Sequence, residues 1–138
     1  MASEAAAPRR RVVVTNHDPV FLSLLEQLLR EEGYDARVPP KLHEPYPFIK
    51  DFRPAAVVLD VPYRQETETL VTLDLLRLDP ATAAIPVVVC TTTPGALEGL
   101  VQREREGLYV LAKPFDLDRL LTVLATALRG RPPRASAG

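Results

Sequence analysis

The chain has 138 residues, 46% hydrophobic and 25% charged, with a formal net charge of −1 and a single cysteine, Cys90. That balance suits one globular domain that buries its own core, excludes an intramolecular disulfide, and argues against bulk attraction to nucleic acid or an anionic membrane. No apolar run is long enough to cross a bilayer. Met1–Pro8 lacks the charged and apolar regions of a signal peptide, so a cytoplasmic location is expected. Residues 1–10 and 130–138 read as flexible tails around one domain, 11–129. Arg9-Arg10-Arg11 reads as a solvated basic arm rather than a nucleic-acid contact.

Five short apolar runs read as strands. Arg11–Thr15 (RVVVT), Ala55–Leu59, Val87–Thr91 and Tyr109–Ala112 are continuous aliphatic or β-branched runs, and Asp35–Val38 is a weaker one. Continuous runs, unlike alternating ones, point to strands covered on both faces, as in a parallel sheet. Between them lie helical patterns. Pro19–Glu32 carries Val20, Phe21, Leu24, Leu25, Leu28 and Leu29 at helical spacing, with Asp18 placed to cap it, Pro19 at the first helical position and Gly33 at its close. The crowd Pro39, Pro40, Pro45 and Pro47 leaves room for only a short helix, about Pro47–Phe52, and could form part of a partner surface. Glu66–Leu78, Ala96–Glu106 and Leu117–Leu128 are further helices, the last with Asp116 as its cap. Such alternation implies right-handed βαβ units and a doubly wound α/β sheet, with the order 2-1-3-4-5 and helices on both faces.

In such sheets ligands bind beyond the carboxyl ends of the strands. Strand one ends at Asn16-His17-Asp18, strand three at Asp60, strand four at Cys90-Thr91-Thr92 and strand five at Lys113. A carboxylate, a hydroxyl and an ammonium converging there are an apparatus for phosphoryl chemistry: a nucleophile plus groups that stabilise phosphoryl oxygens. Each residue alone has a plainer reading. An aspartate at a strand end is most often a turn or cap residue, an isolated lysine a solvated one, and Thr92 and Thr93 serve equally well as caps. His17 reads as pocket-lining before metal-ligating, His43 carries no signal, and Cys90 reads as a buried strand residue.

Taken together, VVVTNHDP, EGYDARV, RPAAVVLD, LLRLDPATAAIPVVVCT and AKPFDLDRLL resemble the receiver domain of response regulators in two-component signalling, across about Arg11–Leu128. The resemblance implies a flavodoxin-like sheet, Asp60 as the phospho-acceptor, and Thr91 and Lys113 as phosphoryl-contacting residues. It also implies that Pro114 follows the lysine across a peptide bond that is often cis. Two positions depart from the pattern. The family's pair of acidic residues after strand one, which helps hold Mg²⁺, is here Asn16 and His17. The switch aromatic is replaced by Val110, with Tyr109 one place earlier and so on the opposite face.

Mg²⁺ prefers oxygen ligands in near-octahedral array, whereas a histidine nitrogen suits softer ions. With one carboxylate facing one ammonium, no surplus negative charge is left for a cation unless Asp18 turns inward. Weak or absent Mg²⁺ binding is therefore expected, with Asp60 and Asp18 as weak candidate ligands. Slow or absent phosphorylation is expected too, with Asp60 and Lys113 in a standing salt bridge. A non-enzymatic signalling protein of the pseudo-receiver kind is the leading expectation. With no output segment following, it would act through a histidine kinase, a phosphotransfer protein, a downstream effector, or a homodimer on the face of helix four, strand five and helix five. The alternatives are a fully phosphorylatable stand-alone response regulator and a small flavin-binding or enzymatic domain on the same fold. The latter finds no Gly-rich phosphate loop and no nucleophile elbow.

Overall fold

A computed structural model describes residues 9–62, 66–95 and 107–130. The tail segments 1–8 and 131–138 and the expected helix Ala96–Glu106 lie outside the described residues. In chain order the elements are β1 (Arg11–Val14), α1 (Pro19–Glu31), β2 (Asp35–Arg37), α2 (Tyr46–Phe52), β3 (Ala56–Asp60), α3 (Glu66–Leu78), β4 (Val87–Thr91), β5 (Leu108–Ala112) and α4 (Leu117–Gly130). The strands form one parallel sheet in the order β2-β1-β3-β4-β5.

The valine runs explain the layering. Successive strand side chains point to opposite faces, so a run of apolar residues must be buried on both. Val12 and Val14 pack with Leu25 and Leu29 of α1 and Leu120 and Leu124 of α4, whereas Val13 packs on the other side with Ile49 of α2 and Leu73 and Leu76 of α3. β3 and β4 are buried at every residue. The two clusters sit back to back across the sheet.

Local signals set the boundaries. Asp18 caps α1: its Oδ1 accepts from Val20 N at 3.0 Å and Phe21 N at 3.3 Å, with Pro19 opening the helix. Asp116 does the same for α4, accepting from Arg119 N at 2.7 Å. Gly33, at φ +96°, ends α1 in the left-handed region that glycine adopts without a Cβ penalty. The proline crowd leaves a seven-residue α2 that begins at Tyr46, one residue before the expected start, because Pro47 falls in the first turn where its missing N–H costs nothing. α2 is tied to the end of α3 by the Asp79 carboxylate, which accepts from Tyr46 Oη and pairs with Lys50 Nζ at 3.0 Å. Asp79 also accepts from Ala81 N, and Thr82 Oγ1 donates to Leu76 O at 2.7 Å, which closes the turn into β4.

Candidate functional site

Parallel register brings the strand ends together. Val14 of β1 pairs with Val58 of β3, Asp60 of β3 with Cys90 of β4, and Thr91 of β4 with Ala112 of β5. Asp60 is the last residue of its strand, one further than the apolar run alone suggests, because its N–H still bonds inward, to Thr15 Oγ1 at 2.9 Å. Its side chain is only 3% exposed. A carboxylate so placed needs partners for its charge.

It has two. His17 Nδ1 lies 3.0 Å from Oδ2, and the His17 backbone N–H donates to the same oxygen at 3.3 Å. Lys113 Nζ pairs with Oδ1 and also donates to Val61 O at 3.3 Å. Oδ1 has that ion pair and no further hydrogen bond. Lys113 reaches in from the end of β5, its N–H fixed to Thr91 O at 2.8 Å, and is followed by a cis Lys113–Pro114 peptide. Both carboxylate oxygens are thus occupied from opposite sides.

The other site residues are committed elsewhere. Asn16 is buried, and its Oδ1 accepts from Asp18 N at 2.9 Å, a local turn that aims the carbonyl at the chain and not at Asp60. Asp18 is held by its capping bonds. Thr91 Oγ1 accepts from Thr93 N at 3.0 Å and approaches Thr93 Oγ1 at 3.4 Å. The structure therefore brings Asp60, His17 and Lys113 together and leaves Asn16, Asp18 and Thr91 bonded to other partners. Tyr109 packs with the α1 and α4 cluster, while its neighbour Leu108 packs with the α2 and α3 cluster; Val110, two residues on, follows Leu108's side of the sheet and is half-buried. Cys90, opposite Asp60, has its thiol pushed up to about 12 by burial first and by the nearby Asp60 charge second, so it is not a nucleophile.

The donor set does not fit Mg²⁺. Among the described residues no group of three or more histidine, cysteine, aspartate and glutamate side chains is placed to hold a metal. Asp60 is bound on both oxygens, and Asn16 Oδ1 and Val61 O already accept hydrogen bonds. Beside Asp60, His17, His43, Pro62 and Glu68 bound a small pocket of about 20 Å³, room for about one water.

Sequence reasoning found Asp60 and Lys113 but not two features of their support. The Thr15 hydroxyl that holds the Asp60 N–H follows the valine run, where periodicity registers a strand residue and nothing more. The grip of His17 on Asp60 depends on the turn geometry, and a histidine type alone does not reveal it. The Asn16–Asp18 turn does have a sequence signal, since Asn favours a bond to the backbone two residues on.

Comparisons with known proteins agree with this fold. No protein-family model matches the chain. It is 26% identical over 130 residues to the DNA-binding transcriptional regulator NtrC of Bradyrhizobium sp. (strain RP501 Parasponia), covering 94% of this chain and 26% of that protein. It is 25% identical over 121 residues to the DNA-binding response regulator MtrA of Mycolicibacterium smegmatis, covering 88% of this chain and 51% of that one. The chain thus spans between about a quarter and a half of the length of these curated relatives. Among solved structures, a sensor protein from Polaromonas sp. JS666 superposes with a TM-score of 0.75 at 21% identity, over 91% of this chain and all of the other. The receiver domain of the sensor histidine kinase PA1611 from Pseudomonas aeruginosa PAO1, which has a magnesium ion in its active-site cleft, gives 0.69 at 19%, over 88% and 98%. The fold is that of a receiver domain, and the curated relatives to which the chain is similar over most of its length are a response regulator and a transcriptional regulator.

Proposed function

We propose that this receiver works chiefly as a protein-interaction module whose Asp60 is held in a standing ion pair and is not a substrate for Mg²⁺-dependent phosphorylation. The observation that carries the reading is the occupation of both Asp60 oxygens, by Lys113 on Oδ1 and His17 on Oδ2. A carboxylate nucleophile must present a free oxygen to phosphorus, and here that requires one partner to withdraw. In this pocket Lys113 already neutralises the Asp60 carboxylate, so that carboxylate offers little excess negative charge to draw in a divalent cation. The protein would act without catalysing a reaction of its own. Its signal would pass in the cytoplasm by contact with a histidine kinase, a phosphotransfer protein or a downstream effector. A second copy bound across β5, α4 and the segment 96–106 is a further route. No helix among the described residues is long and apolar enough to cross a membrane, which suits that placement.

A second reading has an observation in its favour. Asp60, Thr91 and Lys113 all stand at the strand ends of one parallel sheet, so a receiver that accepts a phosphoryl group on Asp60 needs only a change of side-chain partners. A Mg²⁺ titration separates the two. Binding by the native chain should be weak. The double variant Asn16→Asp, His17→Asp restores two carboxylates and should bind Mg²⁺ more tightly by about two orders of magnitude, a range set by the ion's need for anionic oxygen. Equal binding by both proteins would contradict the charge argument.

A further inference from the structure

A cleft larger than the pocket beside Asp60 stands apart from it. It lies at the opposite, amino end of the sheet and measures about 880 Å³, within the usual range of small-molecule sites. Arg9, Arg11, Arg30, Arg37 and Arg53 line it together with Tyr34. They come from four separate places in the chain: the approach to β1, the last turn of α1, β2 and the end of α2. The only carboxylate in the lining is Asp35, which pairs with Arg37 at 3.0 Å, and Arg30 pairs with Glu26 at 2.8 Å. Among the described residues, Arg9, Arg11 and Arg53 have no carboxylate partner.

These guanidinium groups are held in place without being used up. Arg11 and Arg37 both lie over the ring of Phe52, at 5.2 and 5.3 Å from its centroid, and Phe52 is stacked on Phe48 at 5.5 Å. Arg11 also donates one bond to Arg53 O, Arg9 one to Arg30 O, and Arg30 one to Ala36 O, each at 3.2 Å. A guanidinium carries five N–H donors, so Arg9, Arg11, Arg30 and Arg37 each keep some for a ligand while these contacts orient them. Arg53 adds an independent sign. It caps α2 at φ 54° and ψ 61°, the left-handed region where glycine or asparagine is the low-cost choice, yet the chain places an arginine there.

We propose that this cleft binds a small anion carrying two or more phosphoryl groups. Arginine's planar fork matches phosphate oxygens in pairs, and a single phosphate would fill only a fraction of the space and engage only some of the side chains. A nucleoside polyphosphate and an inorganic polyphosphate share this chemistry; half-buried Tyr34 offers a ring face to a base. The site is independent of Asp60 and of whether Asp60 is phosphorylated. The grouping of five arginines around one cleft favours a compact ligand over an extended nucleic acid, as does the net charge of −1.

The test is calorimetric titration of the full chain at low salt with inorganic tripolyphosphate, orthophosphate, adenosine triphosphate and a short single-stranded oligonucleotide. Tripolyphosphate should bind, at least about tenfold more tightly than orthophosphate. Arg53→Gly removes the guanidinium while easing the backbone, and should weaken tripolyphosphate binding by about tenfold; Arg9→Ser, in the coil before β1, should weaken it by a similar factor, and Arg53→Lys by less. Tighter binding of adenosine triphosphate than of tripolyphosphate would support the site with a nucleotide as its source, and equal binding would support it with phosphate chains alone. No tripolyphosphate binding at millimolar concentration, affinity unchanged in both Arg53→Gly and Arg9→Ser, or binding of the oligonucleotide alone would each overturn the proposal.

Discussion

The two ends of the sheet treat charge in opposite ways. At the carboxyl end the Asp60 carboxylate, 3% exposed, is enclosed by one lysine and one histidine. At the amino end five arginines stand in an open cleft with one lining carboxylate among them. The first arrangement is closed, with each charge satisfied inside the protein; the second leaves cationic groups fixed and unanswered. The receiver fold alone therefore does not tell where this chain keeps its capacity to bind. A pocket that is electrostatically complete has little to offer a cation or an anion, whereas an incomplete one does.

The sharpest way to break that contrast is to unbalance the closed end. Lys113→Met leaves Asp60 with His17 alone, and Lys113 is 25% exposed, so the loss should fall below that of a fully buried pair, at about 2–3 kcal/mol of unfolding free energy in urea. A change within a few tenths of a kcal/mol would show that water already screens the pair. At the open end the same class of edit should do the reverse. Arg53→Gly relieves a non-glycine residue at φ 54° and should raise stability, by about 0.5–1 kcal/mol, because nothing inside the protein depends on that guanidinium. A loss of stability there would mean that the arginine is structural.

The smallest effect lies between the two ends, where Asp79 ties α2 to α3. The Tyr46 hydroxyl, the Ala81 N–H and the Lys50 ammonium hold its carboxyl down to about 2. A group whose folded-state value is depressed adds stability that is present above the ordinary carboxylate range and is lost as pH falls through about 2. Tyr46→Phe removes the largest cause, so the variant should show a shallower fall in stability between about pH 4 and pH 2 than the native chain, and the same melting behaviour near neutrality apart from a small constant loss. The Asp79 side chain is 13% exposed but its lysine partner is 50% exposed, which keeps the effect modest. Identical acid profiles would remove Tyr46 from the account.

Much of this was legible in the sequence, and the reasons are specific. The valine runs of β1, β3 and β4 admit no other reading than doubly covered strands, and Asp18, Pro19 and Gly33 mark α1 at both ends. Asp60 and Lys113 are legible because each ends such a run, so topology alone brings them together. His17 was read as lining the pocket, but its bond to Asp60 needs the turn that Asn16 and Asp18 make, and residue type does not fix that turn. Thr91 shows the converse: its position was clear, while its hydroxyl turns to the Thr93 backbone, a choice among neighbouring donors that spacing cannot decide. The arginine cleft was missed because its members are scattered from Arg9 to Arg53. Read in chain order, Arg9-Arg10-Arg11 is a solvated arm; only the docking of α2 against β1 and β2 gathers it with Arg37 and Arg53 around Phe52.

The central claim is that Asp60 is committed to Lys113 and His17 and does not accept a phosphoryl group. Its most direct test is the intact mass of the native chain after incubation with acetyl phosphate and Mg²⁺, beside Asp60→Ala and the double variant Asn16→Asp, His17→Asp. The account predicts no phosphoryl-sized gain for the native chain and for Asp60→Ala, and a gain for the double variant. A gain in the native chain that disappears in Asp60→Ala would contradict it, and would make this a working receiver despite Asn16 and His17.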